Sequence, residues 1–79
     1  MKILIVDDNE QLRNSIGDIL RSLDHTVDTT ADAQAAVKMV EVATYDFILI
    51  DYKMPVNNGL WFMKNAKIGR DTRVLLMTA

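Results

Sequence analysis

Apolar positions in this chain follow two rhythms. The uninterrupted runs Ile3-Leu4-Ile5-Val6, Phe47-Ile48-Leu49-Ile50 and Val74-Leu75-Leu76-Met77 are too short for helices and lie between polar stretches, as strands buried on both faces do. Between the first two, Leu12, Ile16, Ile19, Leu20 and Leu23 recur at helical spacing from Glu10 onward, and Ala33, Ala36, Val37 and Val40 form one apolar stripe with Lys38 and Glu41 outside it. The first strand therefore runs from Lys2 to Val6. The first helix starts at Glu10, takes its cap from Asn9 or Asp8, and ends near Asp24-His25; the second is capped by Asp32 and ends near Thr44.

Thr26 to Thr29 alternates Thr and Asp around Val27, which suits an edge strand with one face in water. After Asp51, the stretch Tyr52-Lys53-Met54-Pro55-Val56-Asn57-Asn58-Gly59 reads as a loop, because Pro55 lacks an amide and Asn58-Gly59 readily turns. A third helix runs from about Leu60 to Lys67. At least one of Trp61 and Phe62 belongs in the core, and the methionines at 39, 54, 63 and 77 are gap-filling core or near-core residues. Gly69 and Asp71 then break the pattern before the fourth strand, Val74 to Met77. The order β-α-β-α-β-α-β calls for a parallel sheet with right-handed crossovers.

At 79 residues the chain is one domain or less, with little surplus stability. A hydrophobic content of 49% with 25% charged residues argues for a folded protein. Nine basic and eleven acidic side chains give a formal charge of −2, with no block of like charge to hold a phosphate backbone, which argues against direct nucleic-acid binding. There is no cysteine, hence no disulfide and no thiolate zinc site. No apolar run approaches a membrane span, and the start is too short for a signal-peptide core, so a cytoplasmic protein is expected.

The chemistry lies at the strand ends. Asp7-Asp8 follows the first apolar run directly and Asp51 follows the third strand. Neighbouring parallel strands would gather these acids into one crevice at their carboxyl ends, where open α/β sheets bind ligands. Such a trio repels itself unless a hard cation sits in it, and Mg²⁺ is the natural candidate. Taken alone, Asp7-Asp8 is a solvated turn and helix cap, and Thr78 is a hydroxyl at a strand end; only together with Asp51 do they become a site. Lone His25, at a helix-to-strand turn, is read as a surface histidine.

In Ile-Leu-Ile-Val-Asp-Asp-Asn, in Leu-Ile-Asp-Tyr-Lys-Met-Pro with its Gly59, and in Leu-Leu-Met-Thr-Ala, the chain resembles the receiver domain of two-component response regulators, which has a flavodoxin-like fold. The resemblance implies a strand order 2-1-3-4 and a Mg²⁺-dependent phosphorelay. Asp51 would be the phosphoacceptor, Asp8 a direct Mg²⁺ ligand, Asp7 a nearby and often water-mediated one, the Lys53 backbone carbonyl a further ligand, and Thr78 the hydroxyl that contacts the phosphoryl group. It implies a histidine kinase or phosphotransfer protein as partner, and a signalling domain rather than an enzyme.

Residues 1–79 cover about the first two-thirds of the family pattern, so the resemblance implies a partial receiver domain, truncated before the fourth helix and fifth strand with its lysine. Function is then expected to be impaired. The fourth strand would be an open edge, from which homo-oligomerisation by edge pairing or segment exchange is expected. The alternative is a non-catalytic interaction module that self-associates or pairs with another receiver through that edge. A hydrolase of the aspartyl-phosphate type is disfavoured, because the residue two past Asp51 is Lys53 and not an acid.

Overall fold

The computed structural model describes residues 1–54 and 56–77. Within them the elements are β1 (Lys2–Val6), α1 (Glu10–Ser22), β2 (Thr26–Thr30), α2 (Ala33–Val42), β3 (Phe47–Asp51), α3 (Gly59–Asn65) and β4 (Arg73–Met77). The strands form one parallel sheet, as the element order calls for, in the order β2-β1-β3-β4 that the resemblance implies. Register places Ile5 between Thr29 and Leu49, and Val6 between Thr30 and Ile50. The carboxyl ends of β1 and β3 are thereby level.

Alternation along each strand divides the core in two. Leu4, Val6, Ile48 and Ile50 point to one face and are buried with Ala33 and Ala36 of α2, Tyr45, Met54 and Phe62 of α3. Ile3, Ile5 and Val27 point to the other and pack with Ile16 and Leu20 of α1 and with Phe47 and Leu49. Each fully buried Leu, Ile, Val or Phe contributes roughly 1.5–3 kcal/mol relative to exposure, so the sheet centre supplies much of the driving force. The second face is thinly covered. Leu75, which lies opposite Leu49 on it, is 53% exposed.

Several boundaries differ from the sequence expectation for local reasons. Asn9, not Asp8, caps α1 by accepting from Leu12 N at 3.1 Å. That helix stops at Ser22 because Asp24 turns left-handed (φ 67°), with Asp24 N donating to Arg21 O and His25 N to Leu20 O. The second helix ends at Val42, short of Thr44, since Ala43 is already extended. α3 starts at Gly59, one residue before the expected Leu60, and stops at Asn65, short of Lys67: Asn65 Nδ2 donates to Trp61 O at 2.8 Å, satisfying a last-turn carbonyl, and Ala66 leaves extended. Phe62 is fully buried and Trp61 half-buried beside it, while Met63 is exposed, which corrects its assignment to the core. Met54 is buried and Met39 packs against the same cluster.

Candidate functional site

Three residues in sequence, Asp7-Asp8-Asn9, carry the chain from β1 into α1. Asp7 continues the sheet by one bond, its amide donating to Thr30 O at 3.1 Å, and it is 2% exposed. Asn9 N donates to Asp7 Oδ1 at 2.9 Å, and Arg13 Nη1 to Asp7 O at 2.8 Å. Asp7 is therefore held at its amide, its carbonyl and one carboxylate oxygen. Asp8, the next residue, is exposed at the mouth of the crevice.

Asp51 is the last residue of β3 and is half-buried. Lys53 N donates to Asp51 Oδ1 at 2.9 Å, so the loop after β3 folds back over that carboxylate and fixes its rotation. Tyr52 N donates to Met77 O at 2.8 Å, tying the same loop to β4. Gly59 lets α3 start close to this turn. A Cβ there would lie 2.8 Å from Leu76 Cδ2 and 3.4 Å from both Asp51 O and Tyr52 Cα.

Asp7, Asp8 and Asp51 each offer a carboxylate oxygen, and these oxygens all lie within 4.8 Å of one another. They border a cavity of about 360 Å³ whose side walls are Leu12, Ile16 and Met77. Burial pushes the Asp7 carboxyl up from its ordinary value of 3.8, and the nearby charges of Asp51 and Asp8 add to the rise, while the Asn9 amide opposes it. Among the described residues the only ion pair is Arg21 with Asp18, so no basic side chain neutralises the trio. A set of hard oxygen donors, crowded and unpaired with any cationic side chain, fits Mg²⁺.

The structure thus brings Asp7, Asp8 and Asp51 together. The Lys53 side chain is exposed, and its main chain stays against Asp51 through the amide bond. Thr78 lies outside the described residues; Met77 before it pairs with Asp51 across β3 and β4. His25 is at the opposite end of the sheet, its Nδ1 3.1 Å from the amino group of Met1. Arg13 is not singled out by sequence reasoning. Its one available signal is its place one turn into α1, from which a long side chain reaches back toward the helix start.

Comparison with known proteins agrees with this geometry. The family model for the response regulator receiver domain matches residues 3–79. Chemotaxis protein CheY-3 of Vibrio cholerae is 32% identical over 83 residues, which take in 100% of this chain and 64% of that protein. Among solved structures, the receiver domain of a sensor histidine kinase from Pseudomonas aeruginosa PAO1, with a magnesium ion coordinated in its active site cleft, has TM-score 0.88 at 34% identity, covering 99% of this chain and 66% of that one. The response regulator TrrA of Thermotoga maritima in complex with Mg²⁺-BeF has TM-score 0.84 at 28% identity, covering 99% and 69%. The chain spans 64% of the length of the curated relative CheY-3.

Proposed function

This chain belongs to the receiver domain family of response regulators, and from that premise we propose that it accepts a phosphoryl group on Asp51 from a histidine kinase or phosphotransfer protein in a Mg²⁺-dependent phosphorelay. The observation that supports this most is the meeting of the Asp7, Asp8 and Asp51 oxygens within 4.8 Å at the carboxyl ends of β1 and β3. A module that only associates through its sheet edge requires none of these three acids.

In the transfer, an Asp51 carboxylate oxygen attacks the phosphorus of a phosphohistidine. The new O–P bond forms as the N–P bond breaks, and the imidazole nitrogen keeps the electron pair and takes a proton from solvent. The Lys53 amide holds Oδ1 and so presents the carboxylate in one orientation. Asp8, exposed at the crevice mouth, would be a direct ligand for the cation; Asp7, buried and already bonded to Asn9, would hold it through water. The Lys53 carbonyl would be a further ligand, and the Thr78 hydroxyl would contact the phosphoryl group. Bound Mg²⁺ supplies the positive charge that offsets repulsion between Asp51 and the incoming phosphoryl oxygens.

Asp51 is modified rather than regenerated in this single transfer, which makes the domain a signalling element and not an enzyme. Among the described residues no helix is long and apolar enough to cross a membrane, and a cytoplasmic place beside a kinase suits the phosphorelay. The same chain self-associates through β4, whose backbone pairs with β3 on one side only among the described residues.

Incubation with a small-molecule phosphodonor and Mg²⁺ tests the phosphoacceptor role. Hydroxylamine-labile phosphate should appear, should require Mg²⁺, should vanish in Asp51→Asn and should persist in Lys53→Ala. A folded chain that takes no label would favour the interaction module instead.

A further inference from the structure

Two of the three site carboxylates sit on residues 7–9, between β1 and α1, where one sheet bond at the Asp7 amide and the Asn9 cap hold the ends of the segment and neither contact holds Asp8. Arg13 closes it from both ends. Its backbone amide donates to Asn9 O at 2.9 Å as the first bond of α1, and its guanidinium Nη1 donates to Asp7 O at 2.8 Å. Asp8 lies between the two carbonyls held in this way. Helical side chains lean toward the N-terminus, which puts the Asp7 carbonyl within reach of a residue one turn into the helix.

The acceptor that Arg13 takes is informative. A guanidinium whose side chain reaches an aspartate could pair with the carboxylate, an arrangement stronger than a bond to a neutral carbonyl. Here the only ion pair among the described residues is Arg21 with Asp18, so Arg13 bonds the Asp7 carbonyl and pairs with none of the three carboxylates.

We propose that Arg13 is a positioning residue for the cation site: it locks Asp7-Asp8-Asn9 so that the Asp8 carboxylate stays turned toward Asp7 and Asp51. This rests on the phosphoacceptor reading given above. The two effects of removing Arg13 have opposite signs. Loss of its positive charge would tighten Mg²⁺ binding, whereas loss of the lock would weaken it.

The test is a titration of the wild-type chain with Mg²⁺ alone, followed by the amide NMR signals of Asp8 and Asn9, and repeated on Arg13→Gln and on Arg21→Gln. Arg21 is the control because it too donates from α1 to a backbone carbonyl, that of Val27 at 2.9 Å, away from the acids. Arg13→Gln should raise the Kd about tenfold, as loss of a supporting contact around a metal site does, while Arg21→Gln leaves it unchanged. Unchanged or tighter binding in Arg13→Gln, or equal weakening in both variants, overturns the inference. If Arg13→Gln does not fold, Arg13→Lys replaces it, keeping the charge but losing the planar fork. A raised Kd then supports the lock, and a wild-type Kd overturns it. Failure of the wild type to bind Mg²⁺ overturns both the phosphoacceptor reading and this one; a wild type that binds and is labelled on Asp51, with a matching Arg13→Gln, overturns this one alone.

Discussion

The carboxylates of Asp7 and Asp51 meet across the boundary between β1 and β3, with Asp8 completing a trio whose oxygens lie within 4.8 Å, and Asp7 is the member buried to 2% exposure. Burial, then the charges of Asp51 and Asp8, raise the Asp7 pKa above its ordinary 3.8. A carboxyl raised on folding takes up a proton more readily in the folded chain than in the unfolded one. Ionised Asp7 therefore lowers stability at neutral pH, and that penalty fades as pH falls through its folded pKa toward 3.8.

Asp7→Asn should accordingly be more stable than the wild type at neutral pH without divalent ions, with the gap closing in acid. The substituted amide oxygen still accepts from Asn9 N, so the loop keeps its shape. Added Mg²⁺ should reverse the order, because a ligand bound to the folded state at about a hundredfold excess over its Kd adds about 2.7 kcal/mol, and Asp7→Asn weakens that binding. Thermal melts across pH, with and without Mg²⁺, check both limbs. A wild type more stable than Asp7→Asn at neutral pH without divalents would refute the assignment of burial as the cause.

The acid trio was legible in the sequence because the pair Asp7-Asp8 and Asp51 each directly follow an apolar run, and neighbouring parallel strands bring such run ends together. Chain contacts set by loop trajectory were not legible. Nothing in a helical arginine foretells that Arg13 bonds the Asp7 carbonyl, since its acceptor depends on how residues 7–9 turn. Periodicity also overstated the core of α1: Ile16 and Leu20 pack on the sheet, whereas Leu12, Ile19 and Leu23, at the same helical spacing, are 42%, 61% and 62% exposed. Met63 misled for a related reason. The buried stripe of α3 is set by Phe62, with Ala66 packing one turn on, and Met63 falls beside it.

Tyr45 is nearly fully buried and donates from its hydroxyl to Asp28 Oδ2 at 2.6 Å. Burial, that bond and the Asp28 charge push its pKa up to about 12. The stabilisation is fully present below the ordinary phenol value of 10.0 and is lost as pH rises through about 12. Tyr45→Phe keeps the ring and strands a half-buried carboxylate, at a cost of about 1–2 kcal/mol. Urea unfolding should show that deficit at neutral pH, with phosphate labelling of Asp51 per folded molecule unchanged, because Tyr45 lies in the turn before β3 and the acids lie past its far end.

Asp24 holds a left-handed backbone (φ 67°) where α1 ends, a conformation that glycine adopts without strain. Its carboxylate also sits at the negative end of the helix dipole. Asp24→Gly should therefore stabilise the chain by about 0.5–1 kcal/mol. Asp24→Asn, which removes the charge but keeps the Cβ, should recover only part of that gain. Denaturant midpoints of the two variants separate backbone strain from electrostatics, and a destabilised Asp24→Gly would refute the strain account.

The edge at β4 makes the last prediction. Among the described residues Arg73 to Met77 hydrogen-bonds to β3 on one side only, and Leu75 and Leu76 on it are 53% and 37% exposed. Exposed apolar edges template further strand pairing, and a lysine at the edge opposes it by placing a solvated charge where a second strand would dock. Sedimentation of the wild type should show a mean mass that rises with concentration. Leu75→Lys should shift that rise to higher concentration without loss of helical signal, since Leu75 is already half in water. A folded wild type that remains monomeric at the highest attainable concentration would rule out association through this strand.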